Sequence, residues 1–153
     1  QLHNDARRQR QMCIRDSCFR SEPFSGCLGN WRSLVEIFCY GTLLPGEQRW
    51  KYLKPSVVSY QGDSVAGHLF DTGKGYPGAV FGLTGCISGI RFNIYDHLIE
   101  QTLELLDEIE GAVDGDYRRV QLLTDKGFQV FAYEFGQNWK ELTRIQGGNW
   151  LNR

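Results

Sequence analysis

The sequence is short of nearly everything that would point to a metal, a membrane or a polyanion. Its 153 residues include five cysteines and three histidines. Cys13, Cys18, Cys27, Cys39 and Cys86 are odd in number, form no C-x-x-C pair and match no histidine spacing, so neither a disulfide framework nor a structural zinc site is expected. His3, His68 and His97 share no metal-ligand spacing. No apolar run approaches the roughly 18 residues that span a bilayer, and no charged-then-apolar leader is visible; the expectation is a cytoplasmic protein with no membrane partner. A formal net charge of -1 and a pI near 6.3 remove the general basic surface that nucleic acid requires. Absent too are a Gly-x-Ser-x-Gly elbow and a phosphate-binding glycine pattern.

What is present is an ordinary core. Hydrophobic residues make up 41% and aromatics 13% of the chain, enough for one domain of this length and too little for two. Residues 1–33 stand apart. They hold Arg7, Arg8, Arg10, Arg15 and Arg20, few apolar residues and no period, and read as a disordered or non-native segment. Met12-Cys13-Ile14-Arg15-Asp16-Ser17 looks like a translated sequencing-adapter string. A basic arm or an organelle leader is the alternative, weakened by Asp5, Asp16 and Glu22. Residues 34–153 are the expected domain.

Val35 to Tyr40 reads as a buried strand running out into Gly41-Thr42-Leu43-Leu44-Pro45-Gly46. Backbone N–H groups exposed by such a loop suit an anion, although a plain strand-to-turn exit has the same local pattern. A short helix over 47–53, strands over 57–61, 64–70, 79–81 and 85–94, and a loop over 71–78 follow. Gly89 hints at a bulge or a close backbone approach. Cys39 and Cys86, both in apolar strand-like runs, are expected to act as small buried hydrophobes. Tyr117 to Thr124 and Phe128 to Phe135 form a hairpin about Asp125-Lys126-Gly127, with Tyr117 and Arg119 on one face.

The clearest helix runs from Asp96, an N-cap candidate, to Glu110 before Gly111. Leu98, Ile99, Thr102, Leu103, Leu105, Leu106 and Ile109 form its apolar stripe. Continuing from Ile99 through Leu103 and Leu106 reaches Glu110, a carboxylate on the core-facing side. Fraying of the last turn would instead release it to water.

Tyr40-Gly41-Thr42-Leu43, Tyr76-Pro77-Gly78-Ala79-Val80, Leu106-Asp107-Glu108-Ile109-Glu110-Gly111 and Tyr117-Arg118-Arg119-Val120 occur in that order. Together they resemble the gamma-glutamylcyclotransferase-like family over about residues 35–153. The resemblance implies an α+β fold, a small closed or partly closed β-barrel with flanking helices. It implies that Glu110 is the catalytic acid/base, that Tyr40, Gly41, Thr42 and Leu43 line the pocket for a gamma-glutamyl group, and that Tyr117 lies close by. Members acting on gamma-glutamyl amino acids tend to carry Ser-Asn after the glycine. Thr42-Leu43 leans instead toward the gamma-glutamylamine, AIG2-like branch.

The implied reaction needs no metal or cofactor. The α-amine of a small gamma-glutamyl substrate attacks its own side-chain amide, closing 5-oxoproline and expelling the amine. A carboxylate on an apolar stripe has the raised pKa such a proton transfer wants, and loop N–H groups can hold the substrate carboxylate or the oxyanion. The alternative is a non-catalytic small-metabolite binding module, which keeps the loop and has no need for the acid. A structural protein with Glu110 in water is a third reading.

Overall fold

The computed structural model describes residues 35–111 and 115–153. The disordered or non-native reading of residues 1–33 lies outside the described residues.

The strand at 36–39, apolar from Ile37 on, has neighbours on both sides, which is why Ile37, Phe38 and Cys39 are all buried. This strand, β1 (Glu36–Cys39), sits in a six-stranded sheet with β2 (Val57–Asp71), β3 (Pro77–Ile94), β4 (Tyr117–Leu123), β5 (Gln129–Phe135) and β6 (Thr143–Arg144). The order is β4-β5-β1-β3-β2-β6. β1 pairs antiparallel with β3, Ile37 opposite Phe92, and parallel with β5, Ile37 opposite Phe131. Successive β1 side chains point to opposite faces. Ile37 and Cys39 therefore join one apolar cluster with Leu53, Phe92 and Leu106, while Phe38 and Tyr40 join another with Leu69, Ile87 and Trp150.

The sheet curls into a half-barrel, and hydrogen bonds from the β4–β5 turn tie the curl. The Asp125 N–H donates to the Ser64 carbonyl at 2.8 Å, and Lys126 Nζ donates to the Gly62 carbonyl at 2.5 Å. The turn of the β4–β5 hairpin is thereby tied to β2, three positions from β5 in the sheet order. The fold is α+β and the barrel partly closed, as expected.

Two helices flank the sheet. The first, α1 (Trp50–Leu53), is shorter than the expected 47–53 because 42–49 are spent in turns. The second, α2 (Ile99–Ile109), follows a 3-10 turn over Asp96–Leu98. Its N-cap position is Leu98, so Asp96 opens the 3-10 turn and does not cap the α-helix. Leu105, counted in the apolar stripe, is 37% exposed. The sheet covers only the sector centred on Thr102 and Leu106, which are buried.

Two further expectations change, and one about Gly89 holds. The four short strands of 57–94 are one long hairpin, with residues 82–85 looped out where the register shifts between Ala66 and Gly67. Cys86 is exposed, unlike the buried Cys39, because it lies next to this irregularity. Gly89 marks a close approach: a Cβ there would meet the Cys39 carbonyl at 2.3 Å and the Phe38 ring at 2.6 Å. Among the described residues no helix is long and apolar enough to cross a membrane.

Candidate active site

β1 ends at the mouth of a pocket. Tyr40, Gly41, Thr42 and Leu43 follow it directly and form one wall; Tyr76 and Pro77, Glu110, and Tyr117 with Tyr133 supply the others. All six residues singled out in the sequence therefore border one cavity. Only about 30 Å³ of it admits water-sized groups, which suits the end of a small molecule better than a macromolecule.

Pro77 is packed where a side chain of Gly41 would be. A Cβ on Gly41 would lie 2.6 Å from Pro77 Cγ and 2.9 Å from Cδ. The glycine thus allows the close approach of two wall segments. Beyond it, the Leu44 N–H donates to the Gly41 carbonyl at 3.0 Å and the Arg49 N–H to the Thr42 carbonyl at 2.9 Å. No acceptor among the described residues takes the Thr42 or Leu43 N–H. Adjacent donors of this kind beside a pocket can hold an anion or a developing oxyanion.

Glu110 reaches the pocket because α2 does not fray. The Glu110 N–H donates to the Leu106 carbonyl at 2.8 Å, and Gly111 follows at φ +62°, the left-handed conformation that ends helices. The helix is thus carried to the position where i+4 spacing from Leu106 puts residue 110 on the buried side. Glu110 is 9% exposed. Among the described residues its ion-pair partner is Arg49, whose Nη1 lies 3.4 Å from Oε1. Burial pushes its carboxyl above the ordinary 4.5, and the Arg49 charge and hydrogen bond only partly offset this.

The neighbouring hydroxyls stay protonated. Tyr40 and Tyr117 are pushed upward by burial first and by nearby charges, including Glu110, second. Each already donates to the main chain, Tyr40 to the Tyr133 carbonyl at 2.5 Å and Tyr117 to the Pro77 carbonyl at 2.6 Å. They brace the wall. The Cys39 thiol is likewise raised, chiefly by burial, which keeps it from being a nucleophile near neutral pH. Glu110 is the carboxyl among the lining residues, and burial raises it. Among the described residues no group of three or more His, Cys, Asp or Glu is placed to hold a metal.

Sequence reasoning missed Arg49, Tyr76, Pro77 and Tyr133. Tyr76 and Pro77 belonged to a motif already noted, and their burial against a glycine was its unused signal. Arg49 had no signal beyond lying one helical turn past the loop it bonds to.

A family model described as "Gamma-glutamyl cyclotransferase, AIG2-like" matches residues 37–152. Over 77 residues the chain is 38% identical to the gamma-L-glutamyl-butirosin B gamma-glutamyl cyclotransferase of Niallia circulans, covering 50% of this chain and 46% of that protein. The match thus spans less than half of that relative. An uncharacterised Pyrococcus horikoshii protein of known structure is 28% identical, with TM-score 0.60 over 77% of this chain and 91% of that one. The solution structure of Escherichia coli ytfP is 30% identical, with TM-score 0.54 over 78% and 98%.

Proposed function

The chain belongs to the AIG2-like gamma-glutamyl cyclotransferase family, and we propose that it cyclises a gamma-glutamyl amine or amino acid to 5-oxoproline, releasing the amine. The observation that carries this reading is the under-partnered, buried carboxylate of Glu110 in one pocket with the Thr42 and Leu43 N–H groups.

In the proposed reaction the substrate's α-ammonium gives a proton to Glu110. The freed amine attacks the side-chain amide carbon four bonds away, and a C–N bond forms that closes the five-membered ring. The carbonyl oxygen gains negative charge and is held by the loop N–H groups. Collapse breaks the original amide C–N bond as Glu110 returns the proton to the leaving nitrogen; Glu110 then takes the second proton that the ring nitrogen sheds and passes it to the released amine, which departs as an ammonium. Nothing is oxidised or reduced, and no co-reactant is consumed. Because both reacting groups share one molecule, folding the substrate into an attacking conformer supplies much of the rate. A free α-amine titrates near about 7.7 to 8.0, so a carboxylate raised by burial is a better matched partner than an ordinary one.

The expected substrate is a small gamma-glutamyl compound and the expected cofactor none. The Niallia circulans relative is named for gamma-L-glutamyl-butirosin B, which supports a leaving group of the amine kind. The test is 5-oxoproline release from gamma-glutamyl amines, gamma-glutamyl amino acids and glutathione, with Glu110→Gln beside the parent. Turnover of one class, falling by about 10²- to 10⁴-fold in the folded variant, supports the reading. Release from none of them would favour the binding-module alternative.

A further inference from the structure

None of the described side chains lining the pocket is basic. A gamma-glutamyl compound nevertheless brings an α-carboxylate into a cavity whose lining holds one carboxylate of its own, Glu110. Two negative groups in a small buried space repel unless a cation stands between them. Arg49 is that cation. Its side chain is 31% exposed, its main-chain N–H is fixed to the Thr42 carbonyl at 2.9 Å, and its guanidinium lies 5.9 Å from the centre of the Tyr76 ring. It therefore stands at the rim, between the loop and the Tyr76 wall.

Its contact with Glu110 is a single bond of 3.4 Å, long for an N–H donor. A guanidinium has five N–H donors arranged to grip a carboxylate in pairs, so most of its capacity is uncommitted to Glu110.

We propose, resting on the cyclotransferase reading, that Arg49 is the specificity-determining residue that takes the substrate's α-carboxylate, releasing Glu110 as it does so. The two anion-holding roles then separate. Arg49 grips the carboxylate at the rim, and the Thr42 and Leu43 N–H groups are left for the amide oxygen. Release of Glu110 also removes the charge that offsets its burial, so the carboxylate becomes a stronger base when substrate is in place.

The test compares gamma-glutamyl butylamide with a twin whose α-carboxylate is replaced by a neutral carboxamide. The parent is expected to favour the carboxylate by about 10- to 100-fold in kcat/KM, the range of a charge-assisted hydrogen bond. Arg49→Met brings the two compounds to within about threefold, through a higher KM for the carboxylate alone. Arg49→Lys keeps the charge but not the fork and restores part of the preference. A parent-like preference in Arg49→Met overturns the proposal. Calorimetric binding of both compounds to Glu110→Gln, with and without Arg49→Met, reads the same preference without turnover. A preference that depends on Arg49 while no 5-oxoproline forms would sink the reaction and keep the carboxylate site; turnover indifferent to Arg49 does the reverse.

Discussion

Two of the domain's buried acidic groups, Asp63 and Glu110, are treated in opposite ways. Where the hairpin turn meets β2, Asp63 accepts from the Ser64 N–H at 2.8 Å and from Arg91 Nε at 3.2 Å. Arg91 also pairs with Glu36, donates to Gln61 at 3.3 Å and stacks 3.5 Å over the Phe128 ring. Burial pushes the Asp63 carboxyl up, yet the Ser64 N–H, the Thr124 hydroxyl, Arg91 and Lys126 together bring it below its ordinary 3.8. Glu110, at the pocket, has one long bond to one half-exposed arginine and stands above 4.5. A buried carboxylate whose lone pairs are filled holds strands together; one left short of donors is available for chemistry.

The strongest way to break this contrast is to remove each arginine. Arg91→Met strands Glu36 and Asp63 as buried charges and is expected to cost about 3–5 kcal/mol in urea unfolding. Arg49→Met costs less, because Glu110 can take up a proton. Equal losses would mean that the two carboxylates are built alike. Next in size, Gly41→Ala drives a methyl into the Pro77 ring. We expect a loss of about 1–3 kcal/mol together with reduced turnover, seen by thermal unfolding and 5-oxoproline release.

The pH dependence of stability sharpens the same comparison. Glu110 stands above 4.5 in the folded protein, so its contribution is complete below that pH and is lost as pH rises through the raised value. The parent therefore loses stability relative to Glu110→Gln across that window. Asp63 stands below 3.8; its contribution is complete above that pH and is lost on acidification through the lowered value. There the parent loses its advantage over Asp63→Asn. Unfolding midpoints of the three proteins between pH 2 and 8 would show both slopes, and parallel curves would contradict the assignment. The smallest expected effect is Leu105→Gln on the exposed helix face, within about 0.5 kcal/mol.

Much of this contrast was readable in the residues. β1 announced itself by an unbroken apolar run, and α2 by a stripe whose one acidic member, Glu110, was the anomaly that mattered. The helix wheel could not show how wide a sector the sheet covers, so Leu105 was misplaced. The gap read between strands at 62–63 is absent because Gly62 pairs with Ile90 and Asp63 with Gly89. What stayed hidden depends on distant contacts. The need for glycine at 41 comes from Pro77, 36 positions on, and Arg49 meets Glu110 across 61 positions. Nothing local in either segment encodes the meeting.

The most direct measurement is titration of the Glu110 and Asp63 side-chain carboxyls by NMR in the intact protein, each assigned by its amide variant. The account predicts that Glu110 titrates above 4.5 and Asp63 below 3.8. A Glu110 carboxyl at or below 4.5 would show that Arg49 outweighs burial, and the proton carrier would have to be sought elsewhere.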